Sequence, residues 1–287
     1  MEYNIVFPRA TYKEGSWEHI KDPVGTVKYD GAHFFLSFDN EGNPSYISRR
    51  QSVKGHYPDR TEKLPQLTKR LPEYANTIHA VELIHTGHSK GLPESHPNIS
   101  GILNSLTPRA LETQVLTGPV RAVLLDTLKP NIDTYAEKLS VLRGLAKAFN
   151  KPDLIFVPEA KLGKDEVQAL VEKTRAEGRE GVIITSASQP ESSNPRIKVK
   201  HFDHYNLKVV GITPGTGKYK GSGGSLIVED ASGRIVANVG TGFSDEQRRS
   251  MHELLGKVVQ VKAFPSTAQR LRAPVYNGEG DGEIDRV

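Results

Sequence analysis

Thr77 to His85 is an apolar, β-rich run with one carboxylate, Glu82, in its interior. A carboxylate inside a buried strand must be paired, metal-bound or lining a cavity. That requirement points to a sheet with a cleft against it. Other short apolar runs repeat the theme. Gly181-Val182-Ile183-Ile184-Thr185 follows Glu180 directly. Arg196-Ile197-Lys198-Val199-Lys200 reads as the adjacent strand across a Ser/Asn/Pro-rich loop, with Lys198 and Lys200 on one face because strand side chains alternate.

Upstream, residues 24–38 read as a hairpin-like pair turning at Asp30-Gly31, with Tyr46-Ile47-Ser48 a third strand. Residues 53–71 are polar and carry prolines, the pattern of an exposed loop or short helix. The Thr77–His85 run is expected to end at Gly87. Residues 98–115 read as one helix with an N-cap near Asn98, and Val120–Leu128 as a strand. Helical spacing of apolar residues covers Tyr135–Phe149 and Asp165–Thr174.

From about residue 205 the pattern changes to short strands with Gly-rich turns: Leu207–Thr213, Ser225–Glu229, Ile235–Gly240, Val258–Phe264 and Leu271–Tyr276. One helix, Asp245–Leu255, follows Ser244, a good N-cap. Five strands and one helix suggest an OB-type barrel, a fold used on nucleic acids. The boundary is expected near residue 204, with a linker at Asp203-His204.

The 287 residues suffice for a large domain and a small one. Cysteine is absent, which excludes disulfides, thiolate zinc sites and cysteine nucleophiles and fits a reducing compartment. No apolar stretch approaches the ~20 residues that span a bilayer. Met1-Glu2-Tyr3-Asn4 lacks a signal-peptide pattern. The expectation is a cytoplasmic protein with no membrane association. Net charge is +4, with basic residues gathered at Arg49, Arg50, Lys54, Arg60, Lys63, Lys69 and Arg70, and again at Arg196, Lys198, Lys200, Lys208, Lys218 and Lys220. Two basic clusters suit a polyanion such as nucleic acid, although a merely soluble basic surface has the same composition.

Lys28-Tyr29-Asp30-Gly31 places a lysine ahead of a carboxylate and a glycine. A deprotonated lysine amine can attack a nucleotide α-phosphate and become a leaving group once reprotonated. Glu82 and Glu180 could hold magnesium, and Lys198 with Lys200 could meet one phosphate. Each has an ordinary alternative. Lys28 can be a solvated lysine, Asp30-Gly31 a simple turn, and Glu82 a strand-edge residue. Glu180 can be a surface partner of Arg179 or Lys173, and the paired lysines the wet face of a strand. It is the order of all five that argues for chemistry.

That order resembles the covalent nucleotidyltransferases, and in particular the ATP-dependent DNA ligases of the compact two-domain kind found in bacteriophages. Lys28-Tyr29-Asp30-Gly31 matches the nucleophile motif, Ser48-Arg49 a short Ser-Arg motif, and Ala80-Val81-Glu82-Leu83 the motif whose glutamate contacts ribose or metal. Glu180-Gly181-Val182-Ile183-Ile184 matches the metal-binding glutamate motif and Lys198-Val199-Lys200 the α-phosphate lysines. Gly240-Thr241-Gly242-Phe243-Ser244 and Leu271–Tyr276 resemble OB-domain segments.

The resemblance implies an α+β fold. An ATP-grasp-like nucleotidyltransferase (adenylation) domain of antiparallel sheets with helices would span residues 1–204, and an OB-fold β-barrel 205–287. It implies sealing of 5′-phosphate/3′-hydroxyl nicks in duplex DNA through a lysyl-AMP at Lys28. Thr26, Val27, Asp30, Arg49, Glu82, Lys198 and Lys200 would bind ATP, and Glu82 and Glu180 would bind Mg2+ (or Mn2+). It further implies a monomer working on nicked duplex DNA, in the host cytoplasm if phage-encoded. Departures from the pattern are His33 for an arginine or asparagine, Thr26 for a glutamate, Thr185 for a lysine, and aliphatics at Val123-Leu124-Leu125 where an aromatic stacks on the base. Arg270 and Arg272 are the candidates for a C-terminal basic motif. An RNA ligase, a capping-type enzyme and a non-catalytic nucleic-acid-binding relative are the alternatives.

Overall fold

The structure, a computed structural model, describes residues 12–14, 16–52, 54–85, 96–128, 132, 134–190, 196–264 and 270–287. The chain divides into two units after Lys200. Along the first unit run β1 (Tyr12–Glu14), β2 (Pro23–Lys28), β3 (Ala32–Phe38), β4 (Pro44–Ser48) and β5 (Ile78–Ile84). Next come α1 (His96–Asn104), α2 (Thr107–Thr117), β6 (Arg121–Thr127), α3 (Tyr135–Phe149) and β7 (Ile155–Phe156). The unit closes with β8 (Ala160–Leu162), α4 (Lys164–Ala176), β9 (Gly181–Ser186) and β10 (Arg196–Lys200). These strands make two five-stranded sheets, ordered β1-β10-β9-β2-β8 and β4-β3-β5-β6-β7. Pairing is antiparallel except between β1 and β10 and between β6 and β7.

Each sheet buries one face under helices. In the first sheet Val182, Ile184 and Ile197 pack with Val167 and Leu170 of α4 and with Trp17 and Ile20. In the second, Phe34, Leu36, Val81, Leu83 and Leu124 pack with Ile99, Leu142, Leu145 and Phe149. Alternation then leaves Thr26, Lys28, Ile183, Thr185 and Lys198 on the opposite face of the first sheet, away from α4. α3 is well terminated: Thr134 and Glu137 form a reciprocal capping box, and Asn150 ends the helix in the left-handed region at φ 55°.

The expected hairpin at 24–38 does not form. β2 pairs with β8 and β9, whereas β3 pairs with β4 and β5, so Tyr29–Gly31 carry the chain from one sheet to the other. Residues 53–71, read as an exposed loop or short helix, are neither wholly exposed nor one helix. They contain short 3-10 turns at Thr61–Lys63 and Pro65–Leu67 whose Leu64 and Leu67, with Leu71, are buried in the main core. The expected single helix at 98–115 is two, because Leu106 is extended and Pro108 starts α2, where its missing N–H costs nothing. Gly87, Met1–Asn4 and residues 191–195 lie outside the described residues.

The second unit contains β11 (Asp203–Pro214), β12 (Gly223–Glu229), β13 (Ile235–Val239), α5 (Asp245–Arg249), β14 (Val258–Phe264) and β15 (Arg272–Glu279). The strand order is β13-β12-β11-β14-β15, and a parallel bridge between Thr241 and Val275 joins the two ends. Asp203 and His204, read as a linker, are already strand, opposite Ala263 and Lys262. The helix is shorter than expected: α5 gives way to a 3-10 turn at Met251–Leu254. Leu207, Val209, Leu226, Val228, Val236, Val259 and Val261 fill the interior. The Gly240–Ser244 segment has a structural explanation. Gly242 sits at φ 93°, where a Cβ would meet the backbone of Tyr276, so glycine lets the closing strands touch. Phe243 then stacks on Tyr276 at 4.4 Å. Arg248 of α5 donates to the carbonyls of Gly223, Gly224 and Gly240 at 3.2, 2.9 and 2.7 Å.

Candidate active site

Lys28 is the last residue of β2, where the chain leaves the first sheet for the second. Gly31 makes that crossing possible. It is buried, and a Cβ there would run into the Leu83 carbonyl and lie 2.8 Å from both Glu82 Cγ and Ile84 Cγ2. The bare backbone instead lies on β5 and donates its N–H to Glu82 Oε1 at 3.2 Å. The other carboxylate oxygen of Glu82 is 3.5 Å from Nδ1 of His33, its cross-strand neighbour. Glu82, the interruption in an apolar run, is thus a cavity-lining group with one oxygen held by the Gly31 N–H and the other beside His33.

A single pocket is bordered by Thr26, Val27, Lys28, Arg49, Glu82 and Lys198. Val27 also packs against the core under α4, and Arg49 is exposed. Glu180 is not among the lining residues; its buried carboxylate forms an ion pair with Lys28 Nζ. Burial pushes the Glu180 carboxyl above the usual carboxylate range, and the charge of Asp30 adds to this, while Lys28 and Lys200 pull the other way. Asp30 and Lys200 therefore belong to the Lys28–Glu180 end of the site. The register agrees, since Lys28 and Lys200 both lie opposite Gly181 on either side of β9.

Several lining groups were not singled out from sequence. One face of α3 supplies Tyr135, Lys138, Leu139 and Leu142, a spacing of i, i+3, i+4 and i+7. Tyr135, like Tyr29, puts an aromatic side chain on the pocket wall, and burial raises the Tyr135 phenol above the ordinary range. Val157, Pro158 and Leu124 add apolar walls, and Arg196, Asp126 and Thr185 polar ones. Arg196 was within reach of the alternation rule, two residues before Lys198. Lys138 carried no such signal, since a lysine among apolar helix positions reads as solvated.

The basic clusters are partly spent on the fold. Lys63 is buried and caps the end of α1 by donating to the carbonyls of Leu103 and Ser105 at 3.0 and 2.6 Å. Burial holds its amine below the ordinary lysine range. Lys69 and Arg70 donate to the carbonyls of Ala148 and Glu41. Arg272 stacks over Phe264 at 5.1 Å. No described helix is long and apolar enough to cross a membrane.

Fold and site together define a class: two five-stranded sheets with a lysine at the crossing between them, followed by a five-stranded OB-type barrel. Residues 214–278 match the DNA ligase OB-like domain family. A DNA ligase of Nitrosopumilus maritimus (strain SCM1) is 21% identical over 87% of this chain and 44% of its own length. DNA ligase 2 of Korarchaeum cryptofilum (strain OPF8) is 22% identical over 94% of this chain and 49% of its own. The chain spans about half the length of the curated relatives it matches. Among solved structures, one from a structure–function study of Lig E DNA ligases, described as binding DNA with a minimal scaffold, superposes with a TM-score of 0.69. It is 19% identical and covers 96% of this chain and 100% of its own. The chain therefore has the two-unit fold seen in a DNA ligase.

Proposed function

We propose that this protein is an ATP-dependent DNA ligase that seals 5′-phosphate/3′-hydroxyl nicks in duplex DNA. The observation that carries the reading is Lys28, set at the crossing of two sheets in one pocket with Glu82, Arg49 and Lys198. Residues 1–204 would form the adenylation domain and 205–287 the OB domain.

In the first step Lys28 Nζ gives up a proton and attacks the α-phosphorus of ATP. A P–N bond forms, and the bond to the departing pyrophosphate breaks. Glu180 accepts a hydrogen bond from that amine, and its raised affinity for protons suits it to take the proton. Lys198 and Lys200 stabilise the phosphate oxygens. Thr26 and Val27 border the nucleotide, Arg49 stands at the rim, and Asp30 and Gly31 fix the turn that aims Lys28. Next, an oxygen of the DNA 5′-phosphate attacks the lysyl-AMP, breaking the P–N bond and returning the amine. Finally the 3′-hydroxyl displaces AMP and joins the strand.

Among the described residues no three His, Asp or Glu side chains gather as a metal cage. Glu82 on the pocket wall and Glu180 beside Lys28 would each offer a carboxylate to Mg2+ (or Mn2+), an ion that takes its other oxygens from phosphates and water. When bound there it would neutralise charge on the departing pyrophosphate.

Intact mass after mixing with ATP and magnesium tests the first step. The expected result is a gain of one AMP, absent in Lys28→Ala. Nicked DNA and nicked RNA duplexes carrying a labelled 5′-phosphate then test the substrate. Joining of the RNA nick alone, or no adduct on the wild-type chain, overturns the reading.

A further inference from the structure

Asp126 lines the pocket beside Leu124 and Leu125, yet strict alternation would send Leu125 and Asp126 to opposite faces of β6. A bulge resolves this. Ala80 of β5 faces Asp126 and Val81 faces Leu124, so Leu125 has no partner and both it and Asp126 border the cavity. Bulges re-aim side chains in this way, and they gather next to active sites.

The carboxylate so placed is held from two directions. Oδ1 accepts from the Thr127 N–H at 2.7 Å and is ion-paired with Lys138 Nζ at 2.8 Å, and Oδ2 is ion-paired with the Arg196 guanidinium at 2.9 Å. Lys138 belongs to α3 and Arg196 to the opposite sheet, so three elements meet on one side chain. A carboxylate has about four acceptor positions, and these three contacts occupy at most three of them. The remaining one is on Oδ2.

Its place along the pocket identifies what it meets. Lys28 and Lys200 share a row across β9, and Arg196 lies four residues back along β10, roughly 13 Å away at ~3.3 Å per strand residue. Between these ends the walls are apolar: Leu124, Leu139, Leu142, Val157 and Ile183. A nucleotide with its α-phosphate at Lys28 lays its base between those walls and turns the far edge of the base toward Asp126. Resting on the proposed function, we infer that Asp126 is the specificity-determining residue for the base, accepting the exocyclic amine of adenine through Oδ2. A carboxylate flanked by two cations only accepts, so it pairs with the N6 amine of adenine and opposes the O6 of guanine. Lys138 and Arg196 are positioning residues.

The test is a competition. Full-length protein is given equal ATP and GTP with magnesium, and the AMP and GMP adducts on Lys28 are separated by mass. The ratio depends only on molecules that react, so partial unfolding of a variant does not distort it. The wild-type chain should favour AMP. In Asp126→Asn, whose amide can offer its NH2 to O6, the ratio should fall by roughly ten- to a hundredfold. Lys138→Met, which loses a support but keeps the acceptor, should slow both adducts and leave the ratio nearly intact. An unchanged ratio in Asp126→Asn, or no wild-type preference for ATP, overturns the inference and leaves the ion-paired cluster as a staple between elements. If the wild-type chain forms neither adduct, it is the covalent reading that fails, and the same ratio is then read from ATP and GTP affinities by calorimetry.

Discussion

At position 31 the space available decides the residue. The Leu83 carbonyl and two side-chain carbons of β5 occupy the place of a Cβ, so even Ala must push Tyr29–Gly31 off the sheet. Lys28 would move with them, and Glu82 would lose the N–H that orients it. Misplacement of a reacting group by ~1 Å costs on the order of 10²-fold in rate. Gly31→Ala is therefore expected to slow formation of the lysyl-nucleotide by about that factor, read as adduct against time, while far-ultraviolet circular dichroism stays native. Glu180→Gln separates a proton acceptor from a mere tether. It keeps a hydrogen bond to Lys28 but loses the basic oxygen, and should slow the same step by roughly 10²-fold or more. A rate within a few-fold of wild type would remove Glu180 from the proton path.

At the scale of elements, α3 is the wall that can be loosened without touching the chemistry. Thr134 accepts the Glu137 N–H at 3.3 Å, and Glu137 returns a bond to the Thr134 N–H at 3.0 Å. The next residue, Tyr135, lines the pocket. Thr134→Ala should cost about 1 kcal/mol in denaturant unfolding and raise the concentration of ATP needed for half-maximal labelling, with the saturated rate little changed. This helix was legible because its apolar residues recur at helical spacing. The period-two runs of β5, β9 and β10 were legible for the same reason, and with them Glu82, Lys198 and Lys200. The reading failed where distant parts of the chain decide. Asp30-Gly31 looks like a hairpin turn locally, but β9 claims β2 and β5 claims β3. Leu64, Leu67 and Leu71 lie in a polar stretch and are recruited by a core assembled from elements far along the chain. The bulge at Leu125 has no glycine or proline to announce it, so Asp126 could not be assigned to the cavity from spacing.

On the scale of the whole molecule, each unit has hydrophobic interiors of its own, the first around Tyr46, Leu83 and Phe149 and under α4 around Val167 and Val182, the second around Leu207, Val228 and Val261. Two melting transitions are therefore expected, and a substitution inside one unit should move only its own. Asp230 offers a way to mark the second. Its carboxylate is buried, which alone would raise its pKa. It nonetheless sits at about 2, because Ser232 donates twice, the backbone N–H groups of Arg234 and Val287 donate at 3.2 and 3.3 Å, and the Arg234 guanidinium pairs at 3.0 Å. The sign follows. With the folded pKa below the ordinary 3.8, stabilisation is fully present above 3.8 and is lost as pH falls from there through about 2. A loss of about 1 kcal/mol moves the midpoint of a unit this small by roughly 4–8 °C. Calorimetry of the full chain between pH 5 and 2 should show the second transition falling steeply across that window. In Asp230→Asn it should start lower and fall less, while the first transition matches wild type at every pH. If both transitions shift together in the variant, the two units are one cooperative body.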